Sequence, residues 1–180
     1  TEFERISAYG YHHWQLLAPL RLIAGVSYDR VGFPENFRSP PVSGGHASED
    51  QVSPKAGLIW TPWADTVVRA AYTHSLGGVS IDQSFQLEPA QVAGFVQTYR
   101  SVIPESVAGP ASAARHRIWG LALDQKFPTH TYLGISGDGI ESESTQQVGV
   151  FRIPFPQPAF RSSTPEELSY RERTLRVSVN

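Results

Sequence analysis

Residues 53–76 read SPKAGLIWTPWADTVVRAAYTHSL, two extended stretches at 54–63 and 66–75 on either side of Ala64-Asp65. A two-residue connection of small and polar residues predicts a tight turn. In the second stretch Val68, Ala70 and Tyr72 alternate with Arg69, Ala71, Thr73 and Ser75, the period of a half-buried strand. The alternation recurs on both sides. Residues 20–29 set Leu20, Leu22, Ala24, Val26 and Tyr28 against Arg21, Ile23, Gly25, Ser27 and Asp29. Trp119, Leu121 and Leu123 oppose Gly120, Ala122, Asp124 and Lys126, and Leu133 and Ile135 oppose Gly134, Ser136 and Asp138. Near the end Leu175, Val177 and Val179 oppose Thr174, Arg176 and Ser178. In the first strand Tyr9 and Tyr11 share a face with Arg5 and Ser7.

About seven strands follow, near 3–15, 20–30, 54–63, 66–75, 116–127, 131–140 and 168–179. Tight turns at 17–19, 64–65 and 128–130 alternate with long loops at 31–53, 76–115 and 141–167. The prolines of IPFPQPAF and RSSTPEE argue against a central strand there. Compact soluble domains avoid structureless loops of this length, whereas outer-membrane barrels pair short periplasmic turns with long external loops. The polar strand faces mix glycine, small hydroxyls and charges of both signs. A water-filled or plugged lumen accepts that mixture, with the apolar face against lipid. A soluble β-sandwich would show the same alternation with its apolar face between two sheets. The expectation is therefore all-β: an antiparallel up-and-down meander, an arc of a transmembrane β-barrel.

Aromatic placement points the same way. Trp14, Trp63, Phe127 and Tyr132 sit near the short turns, and Tyr28, Tyr72 and Trp119 lie further along their strands. About seven or eight residues at ~3.3 Å each, tilted by ~45°, project to roughly 16–19 Å. A barrel's apolar band is ~25 Å tall with aromatic girdles at both edges.

The chain's 180 residues suffice for one domain, read as a single partial barrel over 1–180. Its 15 Lys+Arg against 17 Asp+Glu give no basic face for nucleic acid. The absence of Cys excludes disulfides and thiolate metal sites. No run of about 18 apolar residues exists, which excludes a spanning helix but not a spanning barrel. With no Met and no signal peptide in view, the chain reads as a mature segment or a piece of a longer one. Seven is an odd count that leaves two unpaired edges, whereas bacterial single-chain barrels have even strand numbers. An arc of a larger barrel is expected.

The 53–76 hairpin resembles one common in TonB-dependent outer-membrane receptors. Ser53, Pro54, Lys55, Gly57, Leu58, Trp60 and Pro62 match the first strand of that pattern, and Tyr72 and Ser75 the second. Glu88 and Pro89 occupy a place comparable to the family's loop motif. The resemblance implies a barrel around a plug domain, in the outer membrane of a Gram-negative-type bacterium, taking up iron chelates, cobalamin or sugars. A related large porin fits too. One alternative is the barrel of a polysaccharide or solute exporter with periplasmic helical repeats. Another is a soluble β-sandwich or lipocalin-like binding module. The partners expected are lipid on the outer face, an unidentified small solute, and a plug or periplasmic domain in the parent chain.

Candidate chemistry is sparse. His12 and His13 point to opposite strand faces and cannot chelate together. Asp138 and Glu141 in SGDGIESES likewise fall on opposite faces, which argues against calcium. No GxSxG elbow or P-loop occurs, so neither a metal, a cofactor nor catalysis is expected. An outer-membrane barrel enzyme would centre on Ser75 and His74. The lumen-facing charges Arg21, Asp29, Lys55, Arg69, Asp124, Lys126 and Arg176 form the functional set, because rings of fixed charge select solutes. Opposite charges on neighbouring strands also pair and stiffen a wall. LEPAQVAGFVQTYR at 87–100 carries Val92, Phe95, Val96 and Tyr99 at helical spacing, with Pro89 suited to a first helical position. It predicts one short helix in a long loop, acting as a lid.

Overall fold

The computed structural model describes residues 2–36, 43–78, 88–98, 113–156 and 158–180. Seven strands form one antiparallel sheet: β1 (Glu4–Leu17), β2 (Leu20–Asn36), β3 (Ser43–Trp63), β4 (Thr66–Leu76), β7 (Arg115–Lys126), β8 (Tyr132–Arg152) and β9 (Phe160–Val179). Each pairs with its neighbours in chain order, so the sheet is an up-and-down meander with β1 and β9 at its open edges. Between β4 and β7 lies a separate hairpin of two-residue strands, β5 (Gln91–Val92) and β6 (Phe95–Val96).

The expected loops at 31–53 and 141–167 are corrected: most of both is strand. β2 pairs with β3 out to Asn36 and Ser43, and β8 with β9 out to Arg152 and Phe160. The apolar residues there do not keep to one face: Val31 and Phe33 share the face of Asp29, and Val150 and Phe151 fall on successive, opposite faces, so the hydrophobic pattern is broken while the backbone still pairs. The prolines obey the ladder. Pro34 lies past the end of β1 pairing at Gly32, and Pro54 just past the end of β4 pairing at Lys55. Pro62 falls in a register shift and Pro165 on the edge strand β9. None sits where both sides of a strand must donate.

β4 and β7, with 11 and 12 residues, are the length that spans a bilayer. The longer strands continue beyond it on the side away from the short turns. Between those tall hairpins the wall dips at β4 and β7, and Arg115 Nη2 bridges the dip to Glu49 Oε2 at 2.9 Å.

Burial separates the faces in the opposite sense to a soluble domain. Ser27, Asp29, Ser53, Lys55, Thr73 and Ser75 are buried, while Leu121 and Leu175 are 58 % and 75 % exposed. Contiguous exposed apolar surface of this kind marks an interaction surface. Among the described residues no second sheet covers it, so the sandwich arrangement is not the one adopted. Tyr72 and Trp119 are direct partners across β4 and β7 on the apolar face. Tyr132 departs from the expected girdle. It pairs with Lys126, whose ammonium lies 5.8 Å from its ring centroid on the polar face.

Candidate functional site: a hairpin folded onto the inner wall

The short helix predicted at 87–100 is corrected: residues 91–96 form the β5–β6 hairpin. Ala93 and Gly94 have φ of 49° and 88°, the left-handed pair that a two-residue hairpin turn of type I′ requires. Val92 and Phe95 face each other across it. A spacing of three is one helical turn, but it is also the spacing across a two-residue turn. A short isolated helix is marginal in water, whereas the hairpin finds a fitted seat. Tyr99 lies outside the described residues.

That seat is built by glycine on the polar strand faces. A Cβ on Gly57 would lie 2.8 Å from Val92, and one on Gly120 would overlap the Phe95 ring. Val92 and Ala93 pack with Ile23 and Ala71, and Tyr11, Ile59 and Phe95 border the cluster. The hairpin thus touches β1, β2, β3, β4 and β7 at once. The face it meets is the inner one. Val96, the fourth lid candidate, points away and is exposed.

At the hairpin's base four side chains close a ring. Tyr11 Oη donates to Glu88 Oε2 at 2.7 Å. Lys55 Nζ lies 3.1 Å from Glu88 Oε1 and 3.0 Å from Oε2, so it straddles the carboxylate. The same ammonium donates to Gln97 Oε1 at 2.7 Å, and Gln97 Nε2 donates to Tyr11 Oη at 2.9 Å. Gln97 also ties the hairpin to itself, through Nε2 to Pro89 O at 2.7 Å and its amide to Ala90 O at 2.9 Å. Ser75 Oγ donates to the carbonyl of Thr98. Buried polar groups hold their place when every donor and acceptor is matched, and here the wall and the loop match each other.

All seven expected lumen charges lie on the inner face. Lys55 meets the hairpin. Asp29 accepts from Arg5 at 2.9 Å and Ser7 at 2.6 Å. Arg69 pairs with Asp124 at 2.8 Å and passes 6.0 Å from the Phe95 centroid. Arg21 donates to Gln15 at 3.2 Å, and Arg176 pairs with Asp138. Glu141 is on the other face with Arg117 and Arg171, so Asp138 and Glu141 do not converge. Nor do His74 and Ser75: His74 Nε2 lies 2.7 Å from Tyr72 Oη on the outer face, and Ser75 points inward.

The sequence reading missed Tyr11, Glu88 and Gln97 as site residues. Tyr11 sits among polar neighbours on its strand face, which was the available sign that it points inward. Nothing local marks Glu88 and Gln97 as wall ligands.

Comparison with curated proteins and with solved structures returns no match. The family profile described as TonB dependent receptor-like, beta-barrel matches residues 1–113, the part holding β1 to β4 and the inward hairpin. Barrels of this family are outer-membrane transport proteins of Gram-negative bacteria. By that match over more than half its length, the chain belongs to the TonB dependent receptor-like β-barrel family.

Proposed function

We propose that this chain forms an arc of a solute-transporting outer-membrane barrel, with the β5–β6 hairpin as a constriction on the inner wall. The observation that carries it is the seating of Val92 and Phe95 over Gly57 and Gly120 on the polar face, opposite an uncovered apolar face. Lipid meets the outer face, and the solute passes along the inner one beside the fixed charges. Further strands complete the barrel at the β1 and β9 edges, where unpaired backbone groups are untenable in lipid. The family implies a plug domain and a solute ligand in the parent protein. The role is transport, with no catalytic step.

The test is Phe95→Asp in the protein expressed in an outer membrane. A carboxylate against Gly120 unseats the hairpin, and uptake of a hydrophilic antibiotic too large for ordinary porins should rise. Unchanged uptake, with Phe95→Asp reaching the membrane at normal levels, would sink the constriction.

A further inference from the structure

Among the described residues, three ion pairs on the inner face are made within the wall. Arg5–Asp29, Arg69–Asp124 and Arg176–Asp138 each join two residues of the sheet. Lys55 instead receives its carboxylate from the loop. Glu88 and Gln97 are held together by the hydrogen bonds of Gln97 to Pro89 and Ala90, so both leave Lys55 when the hairpin lifts. What they uncover is a two-donor corner, the Lys55 ammonium and the Tyr11 hydroxyl. Next to it is a flat apolar shelf at Gly57, Ala71 and Gly120, with the Arg69 guanidinium over the place of the Phe95 ring.

We propose that this corner and shelf are a binding site for a small carboxylate with a flat apolar or aromatic body, and that Glu88 and Phe95 occupy it in the closed arrangement as an internal stand-in. The incoming carboxylate takes the hydrogen bonds that Lys55 and Tyr11 give to Glu88, and its ring takes the place of Phe95 beneath Arg69. Binding and release of the hairpin are then one exchange. A neutral solute of the same shape brings no charge to replace the Glu88 carboxylate that the buried Lys55 ammonium straddles. This inference rests on reading the inner face as the solute path.

The chain contains no cysteine, so Val92→Cys places a single thiol under the hairpin, where Val92 is buried. The experiment follows its modification by a membrane-impermeant maleimide in the protein held in its outer membrane, with millimolar benzoate, benzamide or benzylamine. Benzoate should speed modification about tenfold with saturation, and the other two should not. Glu88→Gln should react fast with no additive. Lys55→Gln should also react fast and ignore benzoate, and Lys55→Arg should keep the benzoate response. A rate that rises in Glu88→Gln but is unmoved by benzoate overturns the anion site and leaves the constriction standing. A benzoate response that survives Lys55→Gln, or is matched by benzamide, overturns it as well. Fast modification in every variant and condition means the thiol is never covered, and overturns both readings.

Discussion

Lys55 Nζ lies 3.0 Å from the carboxylate of Glu88, with side-chain exposures of 0 % and 1 %, although one residue belongs to the wall and the other to the loop between β4 and β7. Two charges withdrawn from water this fully depend on each other. Their attraction offsets a desolvation cost of several kcal/mol per ion only while both are present.

Removing one partner should therefore release the hairpin. Glu88→Gln is expected to weaken its docking by about 3 kcal/mol, roughly a hundredfold, because the buried Lys55 ammonium loses the carboxylate it straddles. Replacing both, as Lys55→Met with Glu88→Leu, should recover most of the loss. Hydrogen exchange at the Gln97 amide, which is bonded to Ala90 O, reads the docking directly. Equal protection in all three proteins would show that the pair does not hold the hairpin.

The Arg69–Asp124 pair should behave differently. Its side chains are 29 % and 48 % exposed, and partly solvated pairs contribute roughly 0–1 kcal/mol. A double-mutant cycle of Arg69→Gln and Asp124→Asn, followed by urea unfolding from lipid vesicles, is expected to give a coupling under about 1 kcal/mol. A value near that of a buried pair would mean this part of the wall is drier than it looks.

Gly120→Val tests the seat. The added side chain occupies the space of the Phe95 ring, and overpacking of this kind costs about 1–3 kcal/mol. That strain should fall on the hairpin rather than the sheet, since the hairpin has only one two-residue strand pair of its own. Protection at Gln97 is expected to drop while the strand amides of β4 and β7 stay protected. Loss of protection in β4 and β7 together would contradict a separable hairpin.

The outer face makes a separate demand. Leu121 lies on the apolar face between Trp119 and the short turn at Phe127. Leu121→Arg should cost roughly 2–4 kcal/mol when the barrel folds into a bilayer. If folding titrations show Leu121→Arg to be neutral, this face does not meet lipid.

The wall was legible because strand facing is local. Successive side chains alternate across a pleat, so the inward assignment of Arg21, Asp29, Lys55, Arg69, Asp124, Lys126 and Arg176 needed only the residues beside them. The strand ends were not legible. Where apolar residues are sparse or fall on both faces, as in 43–51 and at Val148, Val150 and Phe151, no hydrophobic pattern distinguishes a paired strand from a loop. The stretch 87–100 was misread because Val92 and Phe95 satisfy two geometries at the same spacing. Only the wall's glycines at 57 and 120, together with the left-handed turn at Ala93-Gly94, select the hairpin.

By itself the sequence determined an antiparallel meander with one apolar and one charged face, since period-two patterning is a property of each strand alone. Tertiary structure decided the ring of Tyr11, Glu88, Lys55 and Gln97. Its bonds join residues 33 to 86 positions apart. Contacts at that range depend on how many strands separate two segments and on where the loop falls against the sheet, and neither is written in the residues around them.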